Sequence, residues 1–199
     1  MKKIINSFTF LLIGYSCYAQ VIFGVKSGIN IATTKDIITF PKNRVGWYIG
    51  GRSHIPIHKK LFLQPELLFS SKGYRYIDLS DGKIVAMRLN YLTVPILLGY
   101  EIDHKTKFVL GAELGYLAKA INYFNKENID ATSSFPPRFD FGLDIGLAYN
   151  ITKCFGAEIR YNYGFKGLYQ TDILGNRRSE VKGANRVFQI GAYYFPSSK

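Results

Sequence analysis

The sequence RFDFGLDIGLAYN occupies positions 138–150, ITK follows at 151–153, and CFGAEIRYNYGFK completes the stretch at 154–166. In the first arm Phe139, Phe141, Leu143, Ile145, Leu147 and Tyr149 alternate with Asp140, Gly142, Asp144, Gly146, Ala148 and Asn150. The second arm sets Phe155, Ala157, Ile159, Tyr161, Tyr163 and Phe165 against Gly156, Glu158, Arg160, Asn162, Gly164 and Lys166. Strict period-two alternation defines strands with two chemically different faces, and the short connection makes them a β-hairpin.

The polar face is the informative one. Gly weakens strands and is normally avoided on a solvated face. Here it is interleaved with Asp, Glu and Arg, as a crowded concave interior requires. The opposite face of Phe, Leu, Ile and Tyr suits lipid. The pattern predicts a transmembrane β-barrel.

Working outward, Met1–Ala19 has the form of a cleaved signal peptide. Lys2 and Lys3 precede the apolar run Phe8–Gly14, and Cys17-Tyr18-Ala19 precedes Gln20. A single domain then spans 20–199. Its remaining cysteine, Cys154, has no partner for an intrachain disulfide and reads as a small packing residue. No long apolar run marks a transmembrane helix.

Eight strands are expected, at about 21–32, 44–57, 61–76, 84–102, 107–121, 138–150, 154–166 and 185–195. Long connections alternate with short ones. The long ones are 33–43, the DLSDGK segment, 122–137 and 170–184; the short ones are HKK, DHKT and ITK. Outer-membrane barrels have this ordering, with short periplasmic turns and longer external loops. The expected fold is therefore all-β, an eight-stranded antiparallel up-and-down transmembrane barrel. Pro56, Pro65 and Pro95 fall inside strands and should mark bulges or strand ends.

The segments QPELLFSSKGYRY (64–76), LNYLTVPILLGYE (89–101), FGVKSGINIA (23–32) and IGAYYF (190–195) resemble the PorT-like outer-membrane β-barrel family of Gram-negative bacteria. The resemblance covers nearly all of 20–199. It implies an outer-membrane location and an eight-stranded barrel, and no particular activity.

An eight-stranded barrel leaves room only for side chains to fill. The alternation assigns Glu66, Glu101, Glu113, Asp140, Asp144 and Glu158 to the lumen, with Lys26, Arg52, Lys72, Lys119, Arg160 and Lys166. Equal numbers of acids and bases predict an internal ion network, because unpaired burial would cost several kcal/mol per charge. His54 and His58 are four apart in a strand that runs into a turn, a spacing that matches metal pairs only on a helix, and His104 lies in another turn. No G-x-S-x-G, phosphate-binding loop or dinucleotide motif is found. No catalytic residue, metal or cofactor is expected, and no enzymatic activity.

The formal charge of +12 is consistent with nucleic-acid binding, but Arg75, Lys83, Arg88, Arg177, Arg178, Lys182 and Arg186 gather near the expected external loops. Outer-membrane lipid is the expected partner; lipopolysaccharide phosphates suit these bases better than nucleic acid does, and a merely solvated face suits them better still. Barrel-assembly machinery is implied during insertion, and an unidentified protein could meet the loops. The alternative is a soluble periplasmic lipocalin-like barrel binding a small apolar ligand, with its apolar face turned inward.

The two arrangements separate experimentally. Cysteine at position 143 should react with lipid-phase probes and cysteine at 144 should not. Leu143→Arg should cost about 2–4 kcal/mol by placing charge in hydrocarbon. The reverse labelling pattern would select the inverted barrel.

Overall fold

The computed structural model describes residues 21–35, 41–77, 82–124, 127–135, 139–166, 168–174 and 177–196; the side chains of 166, 168–174 and 177–182 lie outside the description. The expected signal peptide also lies outside the described residues. The strands are β1 (Ile22–Lys35), β2 (Lys42–His58), β3 (Leu61–Ile77), β4 (Ile84–Glu101), β5 (Thr106–Phe124), β6 (Glu127–Asp130), β7 (Phe139–Asn150), β8 (Phe155–Lys166), β9 (Leu168–Leu174) and β10 (Arg177–Tyr194). They pair antiparallel in the order β1-β2-β3-β4-β5-β7-β8-β10, and β10 pairs back onto β1 from Val25↔Tyr194 to Lys35↔Ala184. Eight strands thus close a barrel. β6 extends the tip of β5, and β9 forms a hairpin with the start of β10.

Alternation dictates which face each residue takes. On β7, Phe139, Phe141, Leu143, Ile145, Leu147 and Tyr149 are exposed on the outside, while Asp140, Gly142, Asp144, Gly146 and Ala148 are buried inside. The decisive pair is Leu143, 39% exposed, beside Asp144 at 0%. The inverted, lipocalin-like arrangement is not the one adopted.

Three features depart from expectation. The segment 170–184 is not a loop: its backbone is a β-hairpin paired from Leu168↔Gly183 to Leu174↔Arg177. The segment 122–137 begins as strand to Phe124, returns as β6, and enters a short 3-10 turn at Thr132–Ser134. The first long loop is also shorter than expected, because β1 runs to Lys35 and β2 starts at Lys42.

The prolines mark interruptions in the ladders without ending β3 or β4. Pro56 sits at the irregularity that ends β2. Pro65 and Pro95 border one gap in the β3–β4 ladder, where pairing passes from Pro65↔Ile96 directly to Leu68↔Thr93. Ser53 Oγ donates to the Pro65 carbonyl at 3.2 Å, supplying a side-chain donor at the interruption.

Inside, the barrel has three layers. At the short-turn end Phe62, Leu97 and Val109 form one apolar cluster, and Ala148, Tyr193 and Phe195 form another. At the long-loop end Tyr74, Met87, Leu89, Tyr91, Leu117 and Ala120 enclose Phe135, which the turn at 132–134 delivers into the interior. Thr132 Oγ1 accepts from Ala120 N–H at 3.0 Å and fixes that turn to β5. Polar side chains occupy the middle.

The lower cluster depends on a missing side chain. A Cβ at Gly99 would run into the Phe62 ring, whereas a Cβ at Gly115 would stand 3.4 Å from its nearest neighbour, an ordinary contact. Gly99→Val should therefore cost about 1–3 kcal/mol through overpacking, and Gly115→Ala should be close to neutral. Urea-unfolding midpoints in lipid vesicles read the difference; equal midpoints would rule out this packing constraint.

Candidate functional site

The middle layer is an ionic lattice contributed by six strands. Lys26 on β1 donates to Glu66 on β3 at 3.1 Å and also to Glu158 on β8. Arg160 on β8 grips Glu66 with both terminal nitrogens, each at 2.9 Å, and reaches Asp144 on β7 at 3.4 Å. Arg52 on β2 donates to Glu158 at 3.0 Å and to the Gln64 amide oxygen. Its guanidinium also lies over the Tyr193 ring at 4.2 Å, linking the lattice to the lower apolar cluster. Lys72 on β3 donates to Glu113 on β5 at 2.6 Å. Bidentate arginine–carboxylate pairing of this kind is among the strongest hydrogen-bond geometries available to a buried charge.

Of the twelve residues assigned to the lumen by alternation, the structure places Lys26, Arg52, Glu66, Lys72, Glu113, Asp140, Asp144, Glu158 and Arg160 together inside. Two assignments are corrected. Glu101 lies at the short-turn rim, partly exposed, and pairs with Lys107 at 3.3 Å. Lys119 faces out and stands 4.0 Å from Asp130. The second has its cause in a bulge at Ala118: Tyr91 pairs with Leu117 but Asn90 pairs with Lys119, so every later residue on β5 changes face. The side chain of Lys166 lies outside the described residues.

The lattice therefore holds five carboxylates and four bases among the described side chains. The surplus negative charge sits toward the long-loop end, where Glu113, Asp140 and Asp144 gather near Lys72. Amides supply donors there. Asn162 donates to Asp144 at 2.7 Å and to Glu113 at 3.1 Å, and Asn185 donates to Asp140 at 2.6 Å. Asn185 and Gln189 were overlooked as lumen residues, although they occupy the inward phase set by Phe188 and Ile190. Their signal was the register alone.

Other candidates have ordinary structural settings. His54 lies against the Phe62 ring at 4.3 Å between centroids, and His58 is exposed at the end of β2. Among the described residues no cluster of three metal-ligating side chains occurs. Cys154 is a partly exposed turn residue with a free thiol. In the neighbouring turn Asp103 accepts from the Lys105 and Thr106 N–H groups, at 2.7 and 2.8 Å, and these bonds hold its carboxyl below the usual range.

The outside of the barrel is an apolar belt with aromatic borders. Phe23, Tyr100, Tyr149, Phe155 and Tyr194 face out near the short turns; Trp47, Tyr116, Phe139, Tyr163 and Phe165 do so toward the other end. Strand β4 marks the upper border. From Leu92 to Tyr100 its outward residues are Leu92, Val94, Ile96, Leu98 and Tyr100, whereas above Tyr91 its outward residues are Asn90, Arg88 and Ala86, with Leu89, Met87 and Val85 buried inside. The backbone phase is unchanged, but the apolar face has moved from outside to inside. Such an exchange places hydrocarbon below this level and water above it.

A closed eight-stranded barrel with an apolar belt, aromatic borders and a charged interior defines a β-barrel membrane protein. The family model for the outer membrane protein beta-barrel domain matches residues 18–170, and the chain belongs to that family. It is an outer-membrane β-barrel protein. No curated protein matches the sequence. Among solved structures, Neisserial surface protein A is similar at 13% identity and a TM-score of 0.59, covering 87% of this chain and 96% of that one. The outer membrane protein OprG from Pseudomonas aeruginosa is similar at 14% identity and a TM-score of 0.50, covering 86% and 94%. These likenesses concern the fold.

Arg160 is the lattice's most connected cation, so its removal tests the ionic layer. Arg160→Met should cost about 3–5 kcal/mol, because Asp144 loses its paired base and Glu66 is left with Lys26 alone. Adding Glu66→Gln to that variant should recover at least about 1 kcal/mol. The single tryptophan, Trp47, reports urea unfolding in vesicles. Strictly additive losses would mean that the two side chains are not energetically coupled.

Proposed function

We propose that this chain is a PorT-like, integral outer-membrane protein of a Gram-negative envelope that acts through its external surface and does not conduct. In this reading residues 1–19 are removed as a signal peptide during export, and 20–199 form the inserted domain. The observation that carries the reading is the filled interior. Two apolar layers close the ends of the lumen and an ionic lattice occupies the space between them. Opposite charges at that density hold one another across the barrel and leave no water column.

The scaffold is rigid, so recognition falls to the segments at the long-loop end: 33–43, 122–137 and 170–184. A structural or interaction role follows, with outer-membrane lipid, including lipopolysaccharide, as the surrounding partner and a protein partner at the loops. Insertion would use the barrel-assembly machinery. No catalysis is assigned, because the buried carboxylates of the lattice are engaged by bases and amides.

Purified protein in planar bilayers should give no stable single-channel steps. A uniform conductance that changes when Glu113 or Arg160 is substituted would make the protein a porin and sink this reading.

A further inference from the structure

Above the upper border of the belt, three adjacent strands carry arginines: Arg44 on β2, Arg75 on β3 and Arg88 on β4. The ladder brings them together. Arg75 pairs with Lys42, two residues before Arg44, and Arg88 pairs with Gly73, two residues before Arg75. Gly73 has no side chain that could separate the guanidinium groups.

Each arginine is held in place by a neutral group. Arg44 Nη1 donates to the Lys72 carbonyl at 2.8 Å and to Ser71 Oγ at 3.2 Å. Arg75 Nε donates to the Asn43 carbonyl at 2.8 Å. The Arg88 guanidinium lies 4.7 Å from the centroid of the Tyr123 ring. Among the described residues no carboxylate forms an ion pair with any of the three. Burial, followed by the like charges of Arg88 and Arg75, pushes Arg44 down to about 10. The cluster therefore carries a repulsion that a bound anion would relieve.

Its height narrows the choice of anion. Val45 and Trp47, immediately after Arg44, are exposed on the belt, and Trp47 packs beside Phe69 at 5.3 Å. Arg88 stands just above Leu92, where β4 exchanges its apolar face. The guanidinium groups thus lie where the headgroups of the adjoining leaflet begin, and forked donors suit phosphate oxygens.

We propose that Arg44, Arg75 and Arg88 form a binding site for the phosphate of a phosphorylated, saccharide-bearing lipid in the outer leaflet. The site rests on the reading that the long-loop end is external, and it gives the lipid partner a defined position on the barrel.

The test uses the full exported protein in detergent, titrated with lipopolysaccharide and with the same material after phosphatase treatment. Wild type should bind the phosphorylated form, and dephosphorylation should weaken binding at least roughly tenfold. The triple variant Arg44→Gln/Arg75→Gln/Arg88→Gln should lose at least roughly the same factor, whereas Lys35→Gln, an exposed base at the same end, should bind as wild type. Restoring charge with lysine at the three positions should recover only part of the loss, because lysine lacks the fork.

Heat-dependent electrophoretic mobility checks that each variant is folded. Equal binding of the triple variant, equal binding of dephosphorylated lipid, or an equal loss in Lys35→Gln would overturn the site in favour of none or of diffuse charge. Labelling a cysteine at position 35 from outside intact cells tests the orientation separately. If the label does not reach it, both the orientation and the site fail; if it does and binding is unaltered, the site alone fails.

Discussion

Hydrocarbon offers no partner to a backbone N–H or C=O, and this constraint shapes the whole molecule. A sheet in that medium can have no edge, so β10 must return to β1. Closure with eight strands fixes a narrow bore, and a narrow bore has to be filled by side chains. Long side chains in that filling need room, which explains three glycines: Gly146 stands against Arg160, Gly142 against the Asn162 amide and Gly156 against the Tyr193 ring. The belt, the lattice and the small residues between long ones all follow from the demand that every polar group be satisfied away from water.

That demand also explains how much could be read from the sequence. Where one face meets lipid and the other a packed polar interior, the two faces differ at every step, and β7 and β8 up to Phe165 are legible residue by residue. The hairpin at 168–183 offers no such contrast: QTDILGNRRSE lacks a consistent apolar phase, so its strand character was hidden. The Ala118 bulge was hidden for another reason. One extra residue reverses all later side chains, and nothing in the local composition of LAKA distinguishes a bulge from a regular strand. Lys119 was therefore assigned to the wrong face, although its neighbours up to Leu117 were placed correctly.

Upper β4 shows that alternation identifies a two-faced strand without saying which face is inside. Met87 and Leu89 alternate with Arg88 and Asn90 as clearly as the belt residues do with their neighbours, yet they point inward. The medium outside decides the direction. Below Asn90 it is lipid and the apolar face turns outward; above it is water and the same chemistry turns inward to pack on Phe135. The external part of the barrel is thus built like a soluble protein on a membrane-protein base, and the aqueous core could not be anticipated from strand periodicity alone.

Lys26 has one carboxylate partner forty positions along the chain and another 132 positions along it. The first belongs to strands that a growing sheet could assemble early; the second arrives only with β8, near the end of the chain. Until the sheet has curled far enough to bring β8 opposite β1, the ammonium group and Glu158 remain apart. Electrostatic neutralisation of the interior is therefore tied to the completion of the ring. A partly rolled sheet gains little of it, and a finished ring loses it as a unit, so the salt bridges favour an all-or-none change between open and closed forms and oppose unzipping at the β1–β10 seam.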